Sequence, residues 1–156
     1  MLDLSHLNEK GFWDVAELSD APLVATHSNA HALTPSARNL TDAQLDAVRA
    51  SGGVVGVNYA AQFLRADGEH DADTPLSDIV RHFDYLVDRL GADHVAFGSD
   101  FDGATIPNPL GDAAGLPRLV EALRAAGFSE ADLCKLGTEN WLRLLDQTWK
   151  QPVPIG

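Results

Sequence analysis

Leu23-Val24-Ala25-Thr26-His27-Ser28-Asn29 is a short apolar run that turns polar at its carboxyl end. The same grammar occurs before it in Met1-Leu2-Asp3-Leu4-Ser5-His6, and after it in Val54-Val55-Gly56-Val57-Asn58-Tyr59 and Val95-Ala96-Phe97-Gly98-Ser99-Asp100. Longer amphipathic segments separate these runs, a pattern produced by parallel strands joined through crossover helices. The sequence therefore predicts an α/β fold with four strands, at residues 1–5, 23–26, 54–57 and 95–98. The unbroken apolar character of 54–57 predicts burial on both faces of the sheet.

The intervening segments carry helical signals. Phe12, Val15 and Leu18 share one face of a helix over 12–18. Thr41-Asp42-Ala43-Gln44 suits a capping box, with Leu45, Val48 and Ala47 as the buried stripe behind it. A third helix runs to about Leu90, with Thr74 placed as N-cap, Pro75 at the first helical position and Asp78 in the first turn. Further helices are expected near 116–126, 130–136 and 139–149, and Pro152 and Pro154 mark a tail over 151–156. With no repeat or linker, residues 1–150 read as one domain or a piece of one.

A chain of 156 residues that is 45% hydrophobic and 22% charged has the means to bury a core. Its 11 basic and 23 acidic residues give a net charge of -12, which argues against a nucleic-acid or anionic-membrane partner. Most of the carboxylates read as solvated helix faces. Cys134, the single cysteine, sits in a half-apolar helical segment and is expected to be a small buried hydrophobe. No run reaches the roughly 18 apolar residues of a membrane span. The amino terminus lacks the marks of a signal peptide, so a cytoplasmic location is the simplest expectation.

In parallel α/β folds, function collects at the carboxyl ends of the strands. Here those ends read Ser5-His6, Thr26-His27-Ser28-Asn29, Asn58-Tyr59 and Ser99-Asp100-Phe101-Asp102-Gly103. Neighbouring strands lie roughly 4.8 Å apart, so imidazoles from two adjacent strand ends can meet one zinc ion at about 2.0–2.1 Å. A lone histidine beside a strand is more often a satisfied structural residue, but His6 and His27 occupy corresponding strand ends with one helix between them. His31, His70, His82 and His94 lack that placement and read as structural or solvated. Asp100 suits proton transfer at such a centre, or else it caps a turn before Gly103 together with Asp102. Arg38 has a planar fork suited to a carboxylate, or else makes a surface ion pair.

Five segments carry a specific likeness: Asp3-Leu4-Ser5-His6, Thr26-His27-Ser28-Asn29-Ala30, Arg38-Asn39-Leu40-Thr41-Asp42, Gly53-Val54-Val55-Gly56-Val57-Asn58 and Gly98-Ser99-Asp100-Phe101-Asp102-Gly103. Together they resemble the renal (membrane) dipeptidase family of zinc metallopeptidases, in its bacterial branch. The resemblance extends from about Leu2 to Asn140-Trp141-Leu142. It implies a TIM-like (β/α)8 barrel of which this chain forms the C-terminal half, about four βα units. It also implies hydrolysis of dipeptides at a site of two zinc ions. His6 and His27 correspond to ligands of one zinc, Asp100 to the acid/base aspartate, and Arg38 to the arginine that holds the substrate's C-terminal carboxylate.

The family's His-x-Asp strand, its bridging glutamate and a further upstream histidine have no counterpart, because the chain begins at the strand bearing His6. Phe63 stands where some members place a tyrosine. The resemblance thus implies half of a metal site, little activity alone, and self-association or a missing N-terminal half to cover the open barrel edges. A truncated reading frame is the simplest account of that start. Two other readings stay open: a non-catalytic half-barrel that binds metal or a partner, and a small doubly wound domain in which both histidines are incidental.

Overall fold

The computed structural model describes residues 1–149, so the expected tail over 151–156 lies outside the described residues. The elements run α1 (Glu9–Leu18), β1 (Val24–Ala25), α2 (Asp42–Ala50), β2 (Val54–Asn58), α3 (Ala61–Leu64), α4 (Leu76–Leu90), β3 (Val95–Ser99), α5 (Leu116–Ala125), α6 (Glu130–Cys134) and α7 (Asn140–Trp149). The three strands form one parallel sheet in the order β1-β2-β3. The predicted first strand is reduced to a single parallel bridge, Asp3 to Val24, with Leu4 N–H donating to the Val24 carbonyl at 2.8 Å. Leu4 is buried whereas Met1 and Leu2 are exposed, so only the carboxyl end of this segment docks.

Local chemistry sets the helix starts. Asn8 accepts from Gly11 N–H and opens α1 ahead of the predicted residues, burying Phe12. Thr41 and Gln44 form the reciprocal box expected for α2, which buries Leu45 and Val48. The predicted cap of α4 is different from the observed one: Pro75 is the N-cap, and the Thr74 hydroxyl donates to the Asp71 carbonyl at 2.6 Å instead. A residue before proline is held extended, and Thr74 closes the preceding turn. Ile79, Phe83, Leu86 and Leu90 form the buried stripe of α4, which ends at Gly91 with φ 87°.

The two faces of the sheet are covered differently. Ala25, Val55, Val57 and Val95 pack in the main core with Phe12, Leu45, Val48, Ile79, Phe83 and Leu86 from the crossover helices. Val24, Val54 and Ala96 face the other way and meet Leu144 and Trp141 of α7. The Asn140 amide ties α7 to the carbonyls of Ala92 at 2.7 Å and Val95 at 2.8 Å, and Arg143 reaches those of Gly52 and Asp93. All five residues of β2 are buried, as its continuous apolar run predicts. Between α6 and α7 the helical path widens into a π turn, Lys135–Glu139. Cys134 is exposed, contrary to expectation: Leu133 and Leu136 take the inward face, and a residue next to Leu133 is rotated about 100° away from it. No helix among the described residues is long and apolar enough to cross a membrane.

His82 is a structural histidine with a measurable consequence. It is fully buried in α4; its Nδ1 accepts from Ala30 N–H at 3.3 Å and its Nε2 contacts the Leu64 carbonyl at 3.1 Å. The neutral ring satisfies both contacts with Nε2 as the donor, whereas a second proton on Nδ1 would confront the Ala30 N–H. Burial pushes its pKa from 6.5 down to about 4, against the pull of the Leu64 carbonyl and aided by Arg81. The unfolded chain takes up this proton first, so its contribution is complete above the ordinary value and is lost as pH falls toward the folded one, on the order of 3 kcal/mol in all. Urea denaturation at about pH 7 and about pH 4.5 is expected to show that loss in the native sequence and a smaller one in His82→Gln. Equal losses in both would refute this account.

Candidate functional site

The strand ends meet because the sheet closes tightly at its carboxyl edge. A Cβ on Gly56 would lie 2.1 Å from the Thr26 carbonyl oxygen and 2.9 Å from Gly98 Cα, and one on Gly98 would lie 2.5 Å from the same oxygen. Backbone beyond β1 therefore folds over β2 and toward β3. Ser28 N–H donates to the Gly56 carbonyl at 2.8 Å and secures that course.

This path sets His27 against His6. Their Nε2 atoms are 2.9 Å apart, with ring centroids 5.0 Å apart and planes inclined by 60°. Two nitrogens bound to one tetrahedral ion at about 2.0–2.1 Å each are separated by ~3.4 Å, so the rings need to part only slightly to fit a metal. Burial lowers the His27 pKa, with Arg38 and His6 in support and Asp100 and Asp3 opposing; a neutral imidazole is the form that ligates.

Asp3 knits the first two strand ends. One carboxylate oxygen accepts from Ser5 N–H, the Ser5 hydroxyl and Thr26 N–H at 2.9–3.1 Å, and the other from the Thr26 hydroxyl at 2.5 Å. Burial raises its pKa, but these hydrogen bonds outweigh it and leave the carboxyl below its usual value. Thr26 Oγ1 lies 2.7 Å from His27 Nδ1, and His27 N–H donates to the Ser5 hydroxyl.

Asn58 performs the equivalent service for the third and fourth ends. Its amide donates to Asp100 Oδ2 at 2.9 Å and to the His27 carbonyl at 3.3 Å, while its Oδ1 accepts from Ala60 N–H at 2.7 Å. The β2 and β3 register slips at this point, pairing Asn58 with Ser99. Ser99, Asp100 and Asp102 all have positive φ, of 74°, 78° and 65°. Such backbone in non-glycine residues costs of order 1–3 kcal/mol each and clusters where function requires it. The turn ahead of Gly103 is closed by the Asp100 backbone carbonyl, leaving its carboxylate directed at Asn58.

Arg38 is carried by the loop after β1. Asn29 and Asn39, both buried, donate to the Phe63 carbonyl at 3.1 and 3.0 Å and pin this loop to the segment after β2. Arg38 Nε donates to the Ser5 carbonyl at 2.9 Å, and its guanidinium carbon stands 5.1 Å from the Phe63 ring centre. Its Nη2 is buried without a hydrogen-bond partner among the described residues, an arrangement suited to an incoming acceptor and unlike a surface ion pair. A cleft of about 210 Å³ opens beside Arg38, lined by residues including Leu4, Ser5, Leu7, His31 and Gln44; its lining leaves out His27 and Asp100.

All four residues singled out in the sequence thus lie at one end of the sheet: His6 and His27 in contact, Asp100 tied to the His27 backbone through Asn58, and Arg38 tied to the Ser5 backbone. Asp3, Thr26 and Asn58 had no assigned role in the sequence reading. Their signal was position alone, polar side chains among the strand ends. Among the described residues, no group of three or more His, Cys, Asp or Glu side chains is arranged to hold a metal ion.

Comparison with known proteins gives a consistent result. The family model of the membrane dipeptidases (Peptidase family M19) matches residues 1–152. The protein in the pqqA 5′ region of Klebsiella pneumoniae is 63% identical over 150 residues, covering 96% of this chain and 55% of the relative. Dipeptidase ataJ of Aspergillus terreus is 38% identical over 149 residues, covering 94% of this chain and 36% of the relative. A metallo peptidase from Rhodobacter sphaeroides, solved with a phosphinate mimic of the dipeptide L-Ala-D-Ala, superposes with a TM-score of 0.94 at 62% identity, covering 96% of this chain and 42% of that one. The probable dipeptidase PvdM of Pseudomonas aeruginosa superposes at 0.88 with 26% identity, covering 96% and 50%. The chain therefore spans about half or less of the length of these relatives.

Proposed function

Because the chain belongs to the membrane dipeptidases, Peptidase family M19, we propose that it carries part of a zinc dipeptidase site, with His6 and His27 as ligands of one metal. Asp100 is the acid/base and Arg38 the anchor for the substrate's C-terminal carboxylate. The observation that carries this reading is the convergence of the two Nε2 atoms at 2.9 Å at the strand ends. The dipeptide mimic held by the Rhodobacter sphaeroides relative supports a dipeptide substrate.

The architecture proposed is part of a (β/α)8 barrel. Its support is the strictly sequential parallel order β1-β2-β3, since a doubly wound sheet reverses its order at a switch point. The sheet's edges, the Asp3 segment on one side and β3 on the other, are where further strands of such a barrel, or a second copy, would pair.

Zinc bound at this position supplies Lewis acidity toward water and the scissile carbonyl. The protein's own part is positional and protolytic. Arg38, stacked over Phe63 with a free donor, fixes the carboxylate end of the dipeptide. Asp100 accepts the proton of the attacking water and delivers it to the departing amine. Asn58 keeps that carboxylate oriented.

A second reading is a non-catalytic metal- or partner-binding module, favoured by the lack of a three-ligand group among the described residues, because catalytic zinc commonly has three protein ligands. Calorimetric titration with Zn2+ is expected to show binding that His6→Ala and His27→Ala abolish. Binding indifferent to both would overturn the metal assignment. Co-expression with the portion of the Klebsiella pneumoniae relative outside the match is expected to give zinc-dependent dipeptide hydrolysis, lost in His27→Ala. Metal binding without hydrolysis in that assembly would leave the second reading in place.

A further inference from the structure

A single hydrogen decides what His27 presents to its neighbour. Asp3 Oδ1 accepts from two backbone N–H groups, those of Ser5 and Thr26, at 3.1 and 3.0 Å, and from the Ser5 hydroxyl at 2.9 Å. Backbone N–H groups can only donate, so this oxygen is an acceptor by necessity. Asp3 Oδ2 stands 2.5 Å from Thr26 Oγ1. The Thr26 hydroxyl has one hydrogen and spends it on that carboxylate oxygen. Its 2.7 Å contact with His27 Nδ1 then has only one consistent arrangement: Nδ1 carries the proton and Thr26 accepts. The ring's second nitrogen is left bare and faces His6.

We infer that Asp3 and Thr26 are positioning residues that lock His27 in the Nδ1–H tautomer, so that its Nε2 lone pair is directed at the metal position shared with His6. This inference rests on the reading of His27 as a metal ligand for its purpose, though the tautomer itself is independent of any metal. Which nitrogen of an imidazole ligates is set by the hydrogen bond that the other makes. The ligand's partner here is a hydroxyl, which alone is ambiguous because it can donate or accept. Asp3 removes the ambiguity from one residue further away. Ser5 fixes the backbone in the same unit, donating its hydroxyl to Asp3 and accepting His27 N–H at 3.0 Å.

The direction of the relay makes Asp3→Asn an informative change, since it exchanges one oxygen for a nitrogen and removes no heavy atom. The two backbone donors require the amide oxygen to stay at the Oδ1 position. The amide NH2 then falls at the Oδ2 position and donates to Thr26 Oγ1. With no acceptor left at the Oδ2 position, the Thr26 hydrogen is released to turn toward His27 Nδ1, which becomes the acceptor as the proton moves to Nε2. The lone pair intended for the metal is thereby covered.

The test uses the metal-free full chain with 15N-labelled histidine. Long-range proton–nitrogen correlation spectra, taken at a pH where the rings are neutral and assigned with His27→Ala, report which nitrogen of His27 is protonated. The native chain is expected to show protonated Nδ1 and bare Nε2, Asp3→Asn the reverse, and Thr26→Ser the native pattern. Zn2+ affinity, measured by calorimetry on the same samples, is expected to fall about ten- to a hundred-fold in Asp3→Asn and in Thr26→Val, and to be kept in Thr26→Ser. A native chain with Nε2 protonated, or one nitrogen pattern shared by the native chain and Asp3→Asn, overturns the inference. A native chain that binds no Zn2+ yet shows the tautomer exchange would instead defeat the metal reading and leave tautomer control standing.

Discussion

Gly56→Ala is expected to destabilise the chain by about 4 kcal/mol or more, among the largest effects a single methyl group can have. The added carbon would lie 2.1 Å from the Thr26 carbonyl oxygen and 2.9 Å from Gly98 Cα, and both obstacles are backbone. A flexible side chain could swing aside, but here the adjoining strand must move. Thr26 cannot withdraw without releasing the bonds from its N–H and hydroxyl to Asp3, and its movement drags His27 from His6. Urea denaturation followed by circular dichroism measures the loss, with Gly137→Ala as the control because nothing lies within 4 Å of its added carbon. A Gly56→Ala change within about 0.5 kcal/mol of the native value, the range of an ordinary surface substitution, would show that the strand ends are looser than this geometry allows.

Asp100→Asn is expected to lower kcat for dipeptide hydrolysis by about 10²- to 10⁴-fold in the proposed assembled site, the usual contribution of a positioned acid/base. The substitution is conservative in shape. The amide oxygen can still accept from Asn58, which contacts Oδ2 at 2.9 Å, so the left-handed turn keeps its main restraint. What disappears is the capacity to take up and return a proton. KM should change little, because Arg38 anchors the substrate from another loop. Steady-state kinetics with a dipeptide distinguish the outcomes: unchanged kcat would remove Asp100 from the reaction, and a rise in KM alone would make it a binding residue.

The parts of the molecule that could be read from the sequence are those governed by neighbours along the chain. The capping box of Thr41 and Gln44 and the buried run 54–57 each depend on a few adjacent residues, and both are present. The polar strand ends were visible for the same reason. Thr74 was misplaced because its hydroxyl had two local uses and the turn to Asp71 took it. Cys134 was expected inside because half-apolar composition says nothing of phase, and phase was set by Leu133 and Leu136. Asn58 and Asp3 gave no local sign of their roles. Their partners lie 42 and 23 positions away along the chain, and only the sheet brings them together. The positive φ of Ser99 was hidden likewise, since serine does not announce such a conformation, and the adjoining turn is held from β2 by the Asn58 amide on Asp100.

The latch made by α7 also bears on the order in which the chain acquires its shape. Because β1, β2 and β3 pair in the sequence in which they are synthesised, the sheet can grow by apposition, each new strand finding its neighbour already made. The docking of α7 is of another kind. Arg143 reaches back 91 positions to the Gly52 carbonyl, and Leu144 covers residues from all three strands. Until that helix leaves the ribosome, one apolar face of the β1-β2-β3 sheet stands open to water and to other nascent chains. That exposure lasts from the synthesis of β3 until that of α7, and its length is set by the time needed to make the residues between them.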